Sequence, residues 1–141
     1  AKANRIETGL QAAGIDAEWL LAQRRVVADR RRLAAVAVNV ALDGERVEIA
    51  GFLVPAPPIG NGVPTAYLLP DRGVCSHLPP SPPNQLIRLR ITDPRDAGGF
   101  CIPVIVRGTL RAEEVRHEAR IHDHAVPMWS AWVLETDRVS Y

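Results

Sequence analysis

Cys75 and His77 stand two residues apart in this chain. On an extended backbone they share a side, and thiolate and imidazole are both ligands for zinc or copper. A structural zinc site needs four such ligands and a catalytic one three plus water, so two residues are not enough. His122 and His124 share a face if their segment is extended, and His117 and His124 share one if it is helical. Cys101 is the other sulfur. In an oxidising compartment Cys75 and Cys101 could instead pair and close a loop of about 26 residues, worth roughly 3 kcal/mol in the chain-entropy picture. The simplest use is structural: Cys75 packs and His77 hydrogen-bonds a carbonyl. Nucleophilic catalysis fits less well. A cysteine nucleophile needs a base, an orienting group and an oxyanion hole, and the nearby prolines remove backbone N–H donors. No Gly-x-Ser-x-Gly, phosphate-cradling glycine loop or His-Glu-x-x-His is present. The expectation is a non-enzymatic protein that requires no cofactor. The alternative is a zinc or copper binder built on Cys75 and His77, with His122 and His124 as candidate completers.

The residues after His77 are as specific in type. Pro79, Pro80, Pro82 and Pro83 fix φ and favour an extended path without donors. The side-chain amides of Asn84 and Gln85 can supply donors where the chain re-enters a strand. Between Ile49 and Ile87 the charged residues are Asp71 and Arg72, and prolines crowd residues 55–83. A solvated linker would carry Ser, Glu or Lys instead. The stretch reads as stiff, apolar, irregular chain that either plugs one end of the fold or meets a partner. Phe52, Ile59 and Tyr67, with the four prolines, Asn84 and Gln85, form the candidate contact patch.

These residues need a scaffold, and the hydrophobic period supplies one. Residues 1–35 read as a helical segment, with Asp16 as an N-cap and Glu18 in the first turn. Trp19, Val26 and Leu33 fall seven apart, as do Leu20, Val27 and Ala34, forming one apolar stripe. Arg24, Arg25, Arg30, Arg31 and Arg32 form a face that is either simply solvated or directed at anionic lipid headgroups. From Val36 the period becomes two. Strands are expected at Arg46–Val54, Thr65–Leu69, Gln85–Ile91, Ile102–Leu110 and Trp129–Thr136, the first after an Asp43-Gly44 turn. Residues 111–124, dense in Arg and Glu, read as a solvated loop or short helix. Gly51 and Gly108 suit positions where a strand bends sharply. The predicted fold is mostly β: a five-stranded OB-like barrel over residues 36–141, preceded by an N-terminal α-helix. A sandwich is the alternative.

Composition sets bounds. The chain has 141 residues, of which 47% are hydrophobic, which excludes global disorder. Lys and Arg number 17 against 16 Asp and Glu, a net charge of +1, and 5% of residues are aromatic. A single-strand nucleic-acid binder needs aromatic platforms interleaved with basic residues, so no nucleic-acid partner is expected. No run of 18 apolar residues occurs.

The run Gly73-Val-Cys75-Ser-His77-Leu-Pro79-Pro80-Ser-Pro82-Pro83-Asn84-Gln85 resembles the signature of a bacterial domain-of-unknown-function family of exported proteins. Two further blocks are similar: Leu42-Asp43-Gly44-x-x-Val47-x-Ile49-x-Gly51-Phe52-x-Val54-Pro55, and Pro103-Val104-x-Val106-x-Gly108-x-Leu110. The resemblance runs over about residues 39–136 and leaves out the N-terminal helix. Ser76 departs from the family pattern, which often has another residue there, and Cys101 is an addition. The resemblance implies a small extracytoplasmic β-barrel, sometimes associated with ABC-type export permeases, and no reaction. The expected localisation is therefore the periplasm, either free or as part of a membrane protein. The expected partner is a membrane permease or another extracytoplasmic protein. The expected role is an accessory or substrate-binding module, with membrane proximity through the N-terminal helix.

Overall fold

The computed structural model describes residues 2–59, 62–72, 81–97, 99–121 and 124–141, with side chains described for all of these except 2–4, 59, 97, 119–121, 124 and 125. The chain divides into two compact units, Ala1–Ala34 and Ala35–Tyr141.

The first unit holds two helices where the period suggested one: α1 (Lys2–Ala12), and α2 (Ala17–Val36), whose last two residues fall in the second unit. Gly14 separates them at φ 73°, a left-handed conformation that glycine adopts without penalty. The Ile15 N–H donates to the Leu10 carbonyl at 2.9 Å, closing α1 in the manner of a Schellman cap. Asp16 caps α2: its Oδ1 accepts the Trp19 N–H at 2.9 Å, and its carbonyl accepts the Leu20 N–H at 3.1 Å. No residue of α2 is buried. Trp19, Val26 and Leu33 are 58%, 40% and 69% exposed, so the described residues of the first unit leave the apolar stripe open.

The second unit is mostly β. Its strands are β1 (Arg46–Ile59), β2 (Val63–Leu69), β3 (Ile87–Ile91), β4 (Ile102–Ile121) and β5 (His124–Ser140). They pair in the order β1-β2-β3-β5-β4, and β4 pairs β1 to close the sheet. All pairs are antiparallel except β3–β5, which is parallel.

The sheet has apolar clusters on both faces. Inside lie Leu53, Leu68, Leu89, Ile91, Val104, Val106, Trp132 and Leu134. Ile87, Leu89 and Ile91 turn inward together, the alternation of period two that β3 shows in sequence. Outside, a second cluster joins Val54, Tyr67, Leu69, Leu86, Cys101 and Met128.

Gly51 and Gly108 are where backbones approach most closely. A Cβ at Gly51 would sit 2.7 Å from the Leu69 carbonyl oxygen, and one at Gly108 would overlap the Glu135 carbonyl. Gly108 also lies at a register shift between β4 and β5.

Two expectations need correction. Residues 111–121 are neither loop nor short helix: they continue β4 and pair with β5 as far as Ile121↔His124. That arm is charged on both faces, so apolar alternation could not reveal it, and its ladder is set by pairing instead. Residues 55–59 are likewise not irregular chain. Pro55, Pro57 and Pro58 extend β1 beyond Leu53, where its pairing with β4 ends. A proline lacks the ladder N–H, so it is tolerated along an unpaired edge.

Candidate functional site

The predicted site residues do not come together as one described site. Cys75, His77, Pro79, Pro80 and His122 lie outside the described residues. His124 and Ile59 are placed in β5 and β1, without described side chains. Cys101 is disulfide-bonded. His117 lies on β4 opposite Met128, so it and His124 are on facing strands rather than one helical face. Its Nδ1 accepts the Glu118 backbone N–H at 3.0 Å. Among the described residues no group of three or more His, Cys, Asp or Glu could hold a metal ion.

The proline segment resolves at its C-terminal end. Pro82 is extended, and Pro83–Gln85 form a single 3-10 turn that leads into β3. The Asn84 amide Nδ2 donates to the Ala37 carbonyl at 3.0 Å, tying the chain before β1 to the chain before β3. The amide therefore serves a carbonyl, that of Ala37. Gln85 is exposed.

Tyr67 is not part of a contact patch. It is fully buried in the outer cluster. Burial pushes its phenol above the ordinary value, and the Arg88 guanidinium opposes that shift. Arg88 NH1 donates to the Tyr67 hydroxyl at 2.8 Å, and the guanidinium carbon lies 4.7 Å from the ring centroid. Arg88 and Arg90 alternate with Ile87, Leu89 and Ile91 along β3, and nothing in that pattern marks one of them as buried. Covering of that face by a second apolar cluster is a long-range event. The other arginine of β3 has a different setting: Arg90 donates to Glu135 at 2.5 Å and to Glu113 at 2.7 Å.

Phe52 stays at the surface. It is half-buried and lines an open groove of about 460 Å³ with Gly51, Pro70, Pro103, Ile105 and Tyr141. Two features of the sequence shape this groove. Pro103 faces Phe52 across the β1–β4 ladder, and Ile105 points outward at 44% exposure. The lining is chiefly apolar, and the Tyr141 hydroxyl, which donates to the Arg95 carbonyl at 3.4 Å, sits at its margin. Such a surface can take an apolar or proline-bearing segment, with few groups to orient a polar one.

Comparison with known proteins places the chain in a family. Residues 6–140 match DUF3299, described as "Protein of unknown function", and the chain belongs to that family. The match takes in most of α1 and all of α2, which the resemblance at residues 39–136 had left out. A crystal structure of a DUF3299 family protein from Pseudomonas aeruginosa PAO1 is similar, with a TM-score of 0.54 and 24% sequence identity. The alignment covers 74% of this chain and 65% of that one, so this chain spans about two-thirds of its relative's length. At that identity the likeness bears on the fold alone. No curated protein matches the chain.

Proposed function

We propose that this chain is a periplasmic, non-enzymatic accessory or substrate-binding module of an ABC-type membrane transport system, built on an OB-like barrel. The OB-like reading is supported by the closed order β1-β2-β3-β5-β4, with one parallel pair between β3 and β5. Five strands in a Greek-key ring are the arrangement of that fold. The observation that carries the functional reading is the apolar groove at Phe52, Pro103, Ile105 and Tyr141. It lies on paired strands, so its shape is preformed, and binding there would order little of the receptor. An apolar or proline-bearing segment of a permease suits it. The run from Cys75 to Gln85 supports export by its resemblance to an exported family.

The test is a photo-crosslinking residue placed at Ile105 in the intact protein, expressed in a bacterial host with its own transport system. The expected product is a crosslink to a membrane permease, recovered from the periplasmic side and lost in Phe52→Asp. Crosslinks confined to cytosolic proteins would sink this reading. In the alternative, Cys75 and His77 bind zinc or copper. Such a site needs a free thiolate, and Cys101 is disulfide-bonded in a chain that has two cysteines. Metal analysis of tag-free protein separates the two: one equivalent of retained zinc or copper would favour the alternative.

A further inference from the structure

Arg88 is 1% exposed, yet its hydrogen bonds go to neutral oxygens: Tyr67 Oη at 2.8 Å, Thr65 Oγ1 at 2.5 Å and the Pro57 carbonyl at 3.1 Å. Its Nε is buried without a partner. Among the described residues no carboxylate forms an ion pair with it, whereas Arg90, two positions on and partly exposed, takes two. Burying a guanidinium without a counter-charge is unfavourable, and an apolar side chain of similar size would suit a folded core better. A charge kept under these conditions is poised for an anion.

The surroundings point the same way. Thr65 Oγ1 accepts from Arg88 and donates to the Pro57 carbonyl at 2.8 Å, so both side chains are held on one oxygen. Tyr67 Oη accepts from Arg88, which leaves its own proton to be donated. Three donors are thus unspent: the Arg88 Nε–H, the second hydrogen of its NH1 and the Tyr67 O–H. The cluster also adjoins exposed chain. Pro57, whose carbonyl accepts from Arg88, and Pro58 are exposed, and the β1–β2 register shifts between Ala56 and Ile59. Low dielectric around the guanidinium strengthens any charge–charge contact made there.

We propose that Arg88, Tyr67 and Thr65 form a receptor for a small oxyanion, a carboxylate or a phosphate, entering past the free edge of β1 at Pro57. The site is separate from the groove at Phe52 and does not depend on it.

The experiment is NMR of the intact protein carrying ¹⁵N-labelled arginine, titrated with acetate and, separately, with inorganic phosphate at constant ionic strength. The Arg88 Nε–H resonance, assigned by its loss in Arg88→Lys, should move and saturate with one of the two anions. That anion identifies the ligand class. Thermal melting gives a second readout: the same anion should raise the wild-type midpoint by several degrees at saturation and leave Arg88→Met unmoved. Arg88→Met should itself melt no lower than the parent. An Arg88 resonance unmoved by both anions would overturn the proposal. So would an equal rise in midpoint in Arg88→Met. If Arg88→Met fails to fold, the resonance titration of the wild-type protein decides alone.

Discussion

The helical unit and the sheet unit are both amphipathic in sequence, and only one of them covers its apolar residues. In the sheet, Leu53, Val54, Leu89 and Leu134 are fully buried, some inside the ring and some beneath the outer cluster. In α2 the stripe of Trp19, Val26 and Leu33 is open. The difference lies in what each element needs in order to exist. A helix satisfies its own backbone, and α2 has further local support: the Asp16 cap, an Arg32–Asp29 pair at 3.0 Å, and many Ala, Leu and Arg residues. A strand satisfies nothing alone. Its backbone groups are paired only when distant segments arrive, and that same event buries its side chains.

The two arginines of β3 repeat this lesson at smaller scale. Arg88 and Arg90 point to the same face. Arg90 meets Glu135 and Glu113 because β5 and β4 bring them to the sheet's rim. Arg88 meets Tyr67, Thr65 and a proline carbonyl because β2 and the end of β1 lie over it. Identical residues with identical spacing reach different fates through their cross-strand neighbours.

The largest effect that tests this contrast is expected at Gly108. Gly108→Val would drive a side chain into the Glu135 carbonyl on the neighbouring strand. The cost should exceed about 4 kcal/mol, seen as loss of the cooperative melt in the β-sheet circular dichroism. A melt like the parent's would show that the β4–β5 register can yield. Next come paired truncations. Leu89→Ala in the inner cluster should cost about 2–5 kcal/mol by denaturant titration. Leu33→Ala on α2 should stay within about 0.5 kcal/mol. Equal costs would mean that Leu33 is covered in solution, and the contrast between the units would fall. A smaller effect is expected for Asp16→Ala, about 1 kcal/mol of helix stability, read as reduced helical signal with the sheet's transition unchanged.

The smallest is a pH effect at the surface. Hydrogen bonds from Arg95 hold the Asp93 carboxyl down at about 2 against an ordinary 3.8. A depressed folded value favours the folded state above the unfolded value, and this contribution is lost as pH falls from 3.8 toward 2. Asp93 lies at the surface with its side chain 40% exposed, so the contribution is small and screened by salt. The melting midpoints of wild type and Arg95→Ala should therefore converge between pH 4 and pH 2 at low ionic strength. A constant difference across that window would exclude the pair as its origin.

Much of the fold was legible in order and type. The Asp16 cap, the change of period near Val36, the turn at Asp43-Gly44 and the inward set Ile87, Leu89 and Ile91 all follow from local chemistry. Gly51 and Gly108 also stood out, because absence of a side chain matters where two backbones meet. Each of these is a property of a residue and its near neighbours. The sequence by itself therefore determined the helical start of the chain, the central part of each of the five strands and the turn at Asp43-Gly44.

The tertiary structure decided what could not be local. Tyr67 looked like a surface aromatic in an uncharged stretch, and it is buried because β5 brings Met128 over the outer face of β2. The charged arm at 111–121 looked irregular, and it is a strand because β5 pairs with it. Pro55, Pro57 and Pro58 looked like irregular chain, and they lie in β1 because its ladder with β4 has already ended. Of the candidate binding residues, Phe52 was legible as a surface aromatic, while its groove needed β1 and β4 side by side. Arg88 carried no mark of its setting at all. Charge and alternation say that an arginine faces outward; only the closure of the sheet, which returns far parts of the chain to the same place, decides whether water or protein waits there.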